Sequence, residues 1–162
     1  MLAGAHRGRT RVGSTGLSLV ALQLGLLAVL AWHGAAALFR GPAEGSVALA
    51  ALLLVASVAV GLWALSANRL GNFNVRPEPR AGGRLVEAGP YRWIRHPMYT
   101  AVILFGAACV AARQFSWAWL ALAALVAVLV VKARVEERLM LQAHPGYAAY
   151  RARTRRFLPW LI

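Results

Sequence analysis

The chain has 162 residues, of which 60% are hydrophobic and only 14% charged, with 18 Lys and Arg against 5 Asp and Glu. Soluble domains carry about 25% charged residues, so this apolar excess excludes an ordinary water-soluble fold and a disordered chain alike. A net charge of +13 combined with long uncharged runs points to an integral membrane protein with basic surfaces at the lipid headgroups, not to a nucleic-acid binder.

Residues 1–16 carry Arg7, Arg9 and Arg11 among Gly, Ser and Thr and read as a polar, mobile N-terminal segment. Leu17 to Phe39 is a run of 23 residues without a charge. At about 1.5 Å per residue a helix of that length crosses the roughly 30 Å hydrocarbon core. Gln23 and His33 are its strongly polar side chains, and the most economical place for His33 is a packed one inside the bundle. A basic start before an apolar run also has the pattern of a signal peptide, with small residues at Gly34 to Ala37; the run is long for that role, which favours a retained helix. A turn is expected over Arg40 to Gly45, then a second uncharged helix over Ser46 to Ala67. Residues 17–67 thus form a pair of transmembrane helices.

Residues 68–162 form the second part of the chain. Asn68 to Arg95 is rich in Gly, Pro and Arg and reads as a loop of about 28 residues, long enough to carry function. Pro97 to Ala112 is a short apolar helix, with Pro97 where its missing N–H costs nothing. It holds the one cysteine, Cys109, which excludes an intrachain disulfide and a Cys-based zinc site. Arg113 and Gln114 interrupt, and Phe115 to Val131 is apolar again, so 97–131 is expected to be a helical hairpin. From Lys132 the pattern turns amphipathic. Pro145-Gly146 breaks it, Tyr147 to Arg156 reads as a last short helix, and Phe157 to Ile162 is an aromatic tail of the kind found at membrane interfaces. The predicted architecture is an all-α membrane bundle of about four transmembrane helices with a cytoplasmic loop and a C-terminal amphipathic helix. With four helices, 16 of the 18 Lys and Arg fall on one side. The positive-inside rule then makes that side, with both termini, cytoplasmic. The Ala- and Arg-rich composition points to a bacterial inner membrane.

Polar chemistry concentrates in two places on that side: Gly89 to Tyr99, and Glu136-Glu137 with Tyr147, Tyr150 and Arg156 downstream. A hairpin returns its two ends to one membrane face, so these clusters can meet. Arg, His and Tyr offer donors for a carboxylate or phosphate, and the glutamates offer acceptors for an amine or ribose hydroxyls. Plainer roles compete with this. Arg92 and Arg95 can bind lipid phosphates, His96 can cap a helix, Glu136 and Glu137 can pair on a solvated face with Lys132 and Arg138, and the tyrosines can anchor at the interface. No metal-ligand spacing, no Gly-x-Ser-x-Gly, no phosphate-binding Gly-Lys-Ser/Thr and no Gly-x-Gly-x-x-Gly occurs.

The segment Gly89-Pro90-Tyr91-Arg92-x-x-Arg95-His96-Pro97-x-Tyr99 resembles the superfamily of isoprenylcysteine carboxyl methyltransferases and phospholipid methyltransferases. Leu85-Val86 ahead of it, Glu136-Glu137, the Tyr147-x-x-Tyr150 pair and the Arg156-Phe157-Leu158-Pro159 ending fit the same pattern, so the resemblance covers about Asn68 to Ile162. It implies a helical membrane enzyme with a cytoplasmic pocket for S-adenosylmethionine. Leu85, Val86, Tyr91, His96, Pro97, Met98 and Tyr99 would line the pocket, with Arg95 flanking it and Glu136 binding the cofactor. The basic residue that would meet the substrate one turn before Glu136 is Lys132, with Arg134 nearby; many members carry Arg there, and Lys is not its equivalent for gripping a carboxylate. The implied reaction is direct in-line methyl transfer to a lipidic or small hydrophobic acceptor, a carboxylate, amine or thiol, that enters sideways from the bilayer. A carboxylate needs no base; for an amine or thiol, Glu137 or His96 would take the proton. Two alternatives stay open. Sterol-reductase-like membrane enzymes, which use NADPH and are longer, share a similar Arg-His-Pro-x-Tyr region and ending. A non-catalytic lipid-binding membrane protein would show the same basic face.

Overall fold

The computed structural model describes residues 4–39, 45–68, 85–112 and 116–158. The turns expected at 40–44 and 113–114, the greater part of the 68–95 loop, the side chains of Arg7, Arg9 and Arg11, and the tail at 159–162 lie outside the described residues. Among the described residues five α-helices follow one another: α1 Gly4–Phe39, α2 Val47–Ala67, α3 Pro97–Ala112, α4 Ser116–Ala143 and α5 Tyr147–Arg153, with a 3₁₀ turn at Gly89–Arg92 before α3. Among the described residues three stretches are long and apolar enough to cross a membrane, Gly16–Ala36, Val47–Ala67 and Trp117–Ala143; α3 is a shorter apolar helix. The chain is an integral membrane helical bundle.

Two boundaries differ from the expectation. Helix α1 starts at Gly4, not Leu17. Once a helix is nucleated, each added residue gains a hydrogen bond, and no proline stands between Gly4 and Leu17 to stop it. Helix α4 runs without a break into the amphipathic stretch. Its residues from Lys132 to Ala143 include no Gly or Pro and many good helix formers. It ends where Pro145 forbids continuation, with His144 N–H still donating to the Met140 carbonyl.

Neighbouring helices alternate in direction, and polar contacts at both ends fix this. At one end Ser46 caps α2, its hydroxyl accepting from Leu49 N–H at 3.2 Å, and Ser46 N–H donates to the Ala111 carbonyl near the close of α3 at 2.9 Å. On the same side the buried His33 of α1 meets Trp117 at the start of α4 edge to face, ring centres 4.7 Å apart. The core lies between α1, α3 and α4 and consists of Leu30, Cys109, Val110, Ala118, Leu122, Leu125 and Leu129. Lipid tails are as apolar as Leu, so close backbone approach rather than the hydrophobic effect holds such helices together. Helix α3 supplies that approach: Gly106 sits where an added Cβ would fall 3.0 Å from Leu122 Cδ1 and 3.3 Å from both Leu125 Cδ2 and Leu30 Cδ1. The large exposed side chains of α1 and α2, such as Leu24, Trp32, Leu52 and Val55, form the lipid-facing surface.

The 3₁₀ turn is seated against the end of α2 by a glycine. Gly89 has φ +57°, and a Cβ there would lie 2.7 Å from Ala67 Cβ and 3.2 Å from Trp63 Nε1. Left-handed strain and overlap act together, so Gly89→Ala is expected to lower stability by about 1–3 kcal/mol. Denaturant unfolding of the detergent-solubilised variant against the parent measures this, and unchanged stability would show that the turn relaxes freely.

Candidate functional site

The site lies at the bundle end where α1 and α3 begin and α2 and α4 finish, and a C-terminal strap completes it. Residues 93–96 run alongside 154–156 as a short parallel pairing centred on Ile94 and Arg155. Arg155 N–H donates to the Trp93 carbonyl at 2.9 Å, Arg95 N–H to the Arg155 carbonyl at 2.8 Å, and His96 N–H to the Arg156 carbonyl at 3.0 Å. Thr100 Oγ1 donates to the Phe157 carbonyl at 2.7 Å, and the Tyr150 hydroxyl to the Tyr91 carbonyl at 2.8 Å. Tyr91, Tyr147, Tyr150 and Thr154 are buried beneath this layer. The two sequence clusters therefore meet, as the hairpin argument required.

At the centre two adjacent glutamates have opposite surroundings. The Glu137 side chain is 3% exposed, and both of its oxygens are taken. Arg95 Nε donates to Oε1 at 2.9 Å. Arg156 grips both oxygens, Nε to Oε1 at 3.0 Å and Nη2 to Oε2 at 2.9 Å. His96 Nε2 lies 3.3 Å from Oε1, and Arg151 Nε 3.7 Å from Oε2. A carboxylate whose lone pairs are filled by guanidinium donors is a poor proton acceptor. Arg95 is turned inward, with further bonds to Thr154 and to the Arg151 carbonyl, so it serves this hub and not lipid phosphates. Arg92 is the outward one, its guanidinium 5.6 Å from the Trp93 ring centre.

Glu136, at 20% exposure, accepts from the Tyr99 hydroxyl and faces His96 Nδ1 at 3.4 Å. His96 thus stands between both glutamates with a ring nitrogen on each. Both nitrogens can donate only in the imidazolium form. Burial opposes that charge, but the bonds to Glu136 and Glu137 outweigh it and raise the His96 pKa above its ordinary value. Burial, then Glu137, raises the Tyr147 hydroxyl; burial, then Tyr147, raises that of Tyr150, so neither is an anion at neutral pH.

Tyr99 links this core to α1 and α4. Its ring stacks on His96, centres 5.3 Å apart and planes 3° from parallel, and Lys132 Nζ lies 5.2 Å from its centre. Lys132 is buried and donates to Gln23 Oε1 of α1 at 3.0 Å. Arg134 does not join it: two residues on along a helix is about 200° of rotation, and Arg134 is exposed. Leu85 and Val86 are half-buried ahead of the 3₁₀ turn, and Pro97 is buried in the first turn of α3. Met98 lines an apolar groove between α1, α2 and α3. Gln23, Arg151 and Thr154 were not foreseen as members of this arrangement. For Gln23 the signal was present, an amide in an uncharged apolar run. Among the described residues no cluster of His, Cys, Asp and Glu could hold a metal ion.

The profile of a family described as phospholipid methyltransferase matches residues 45–145. A search of curated proteins finds no match.

Proposed function

The chain belongs to the phospholipid methyltransferase family of membrane methyltransferases, and we propose that it transfers a methyl group from S-adenosylmethionine to a lipid-embedded acceptor at the Glu136–His96–Tyr99 site. The observation that carries this reading is the contrast between the two glutamates. Glu137 is sealed, whereas Glu136 keeps partial exposure beside an aromatic and a cationic ring. A cofactor bearing ribose hydroxyls and an ammonium group needs such an acceptor, with charge-assisted bonds of the stronger kind, so the donor set fits. Glu136, Tyr91, His96 and Tyr99 would hold the cofactor, and Leu85 and Val86 would border it. When bound, S-adenosylmethionine supplies an electrophilic methyl: the acceptor's nucleophilic atom bonds to it as the carbon–sulfur bond breaks, and that electron pair stays on sulfur.

The chain's own contribution is orientation and exclusion of water. Glu137, Arg95 and Arg156 act as positioning residues that fasten the strap over the site. Lys132 faces the acceptor. Of the two sequence candidates for a general base, Glu137 has its oxygens occupied by Arg95 and Arg156, which favours an acceptor that is already nucleophilic, such as a carboxylate. The helix ends that build the site are those flanked by 16 of the 18 basic residues, which supports a cytoplasmic site with both termini on that side of a bacterial inner membrane.

Titration calorimetry on the purified protein tests the cofactor. S-Adenosylmethionine and S-adenosylhomocysteine are expected to bind in the micromolar range, and NADPH to give no heat. Binding of NADPH alone, or of none of the three, overturns the reading.

A further inference from the structure

Along the spanning part of α4, Leu120, Ala124, Ala127 and Val131 are exposed and recur every three or four residues, so they form one lipid-facing stripe. The stripe continues in the same phase into Arg134, Arg138 and Leu141, all exposed. Each arginine stands two positions beyond a residue of the site, Lys132 or Glu136, and is therefore rotated about 200° away from it. Arg134 and Arg138 thus lie one turn apart on the side of α4 that faces away from the site. Among the described residues neither makes an ion pair. The three described glutamates are engaged elsewhere: Glu87 by Arg153, Glu136 by Tyr99 and His96, Glu137 by Arg95 and Arg156. A charge at a lipid boundary is costly until an anion meets it. Depth says which anion is at hand. Trp119 is exposed near the opposite end of the helix, and from there to Arg138 the rise is about 28 Å, close to the roughly 30 Å hydrocarbon core. With Trp119 at one interface, the two guanidiniums stand at the phosphate level of the other. Arginine grips phosphate oxygens in pairs. In a zwitterionic lipid the headgroup ammonium competes for that phosphate; in a lipid of net negative charge nothing does.

We propose that Arg134 and Arg138 form a headgroup site for an anionic phospholipid, separate from the acceptor, whose acyl chain lies along Val131, Ala127 and Ala124. The two arginines bracket Glu136 and Glu137 in sequence, so an occupied site anchors the turn of α4 that carries both glutamates. Membrane charge then stabilises the bundle at the end where the polar site is built.

The test uses the full chain in a neutral detergent. By native mass spectrometry, phosphatidylglycerol adducts are expected at about tenfold lower lipid concentration than phosphatidylcholine adducts, a difference of about 1.4 kcal/mol. Combining Arg134→Gln with Arg138→Gln is expected to abolish this preference, whereas Arg155→Gln, at another exposed arginine, leaves it unchanged. Phosphatidylglycerol is also expected to raise the unfolding temperature of the parent but not of the double variant, and the rise should shrink with added salt. Equal binding of the two lipids, or an equal loss in Arg155→Gln, overturns the site. The same rise with inorganic phosphate at equal concentration overturns the lipid as occupant. Selective binding without any rise overturns the anchoring of α4.

Discussion

Glu137→Gln is expected to lower stability by about 3–5 kcal/mol and to loosen the C-terminal strap. The substitution preserves shape and removes one negative charge. Arg95 and Arg156, whose side chains are 8% and 18% exposed, then face each other without a counter-ion, while His96 keeps only Glu136. Removing one partner of a buried ion pair leaves its desolvation penalty uncompensated, which is why the loss exceeds what the pair itself contributes over a hydrophobic substitute. The parallel pairing of 93–96 with 154–156 depends on the same two arginines, since each carries a backbone bond of that pairing as well as a Glu137 oxygen. The expected signature is early unfolding in denaturant together with faster trypsin cleavage after the exposed Arg151 and Arg153. Glu137→Asp keeps the charge but withdraws it by one methylene, so it should restore part of the stability. A variant as stable and as protease-resistant as the parent would show that the strap is held by its backbone pairing and Tyr150 alone.

The spanning helices were legible because a hydrocarbon core tolerates no charge, and uncharged runs of sufficient length mark where the chain crosses. That the 89–99 segment and the Glu136–Glu137 cluster can meet was legible as well, since a helical hairpin returns both to one membrane face. Composition and spacing do not give the division of labour between Glu136 and Glu137, which the sequence suggested only through its family resemblance. Adjacent residues on a helix differ by about 100° in direction, and only the packing of the strap decides which one faces three arginines. The strap itself is a long-range pairing between segments some 60 residues apart, for which neither hydrophobic periodicity nor turn chemistry carries a signal. The same holds for Lys132 and Arg134, equally basic in sequence, of which rotation about α4 buries one and exposes the other. The start of α1 and the unbroken α4 were misplaced for a different reason: the expectation ended helices where apolarity ended, whereas helices stop at caps and breakers such as Pro145. Gln23 lies outside the family match at 45–145, as do Arg151, Thr154 and Arg156, so the part of the site that closes over Glu136 and Glu137 is supplied by segments that the match does not reach.

Glu136→Gln, one residue away from the hub, is expected to behave in the opposite way: stability within about 1 kcal/mol of the parent, and affinity for S-adenosylmethionine reduced about ten- to hundredfold. The amide oxygen can still accept from the Tyr99 hydroxyl, and His96 keeps its contact with Glu137 at 3.3 Å, so the packing survives. What is lost is the anion. Hydrogen bonds to a charged group contribute about 1.5–3 kcal/mol, and at 1.4 kcal/mol per decade this converts to the stated loss. Calorimetry with S-adenosylmethionine and S-adenosylhomocysteine, paired with thermal unfolding of the same samples, separates the two glutamates. Undiminished affinity in Glu136→Gln would remove Glu136 from the cofactor site. A stability loss as large as that of Glu137→Gln would instead make Glu136 a second member of the structural hub, with His96 as the shared cation and the cofactor site elsewhere.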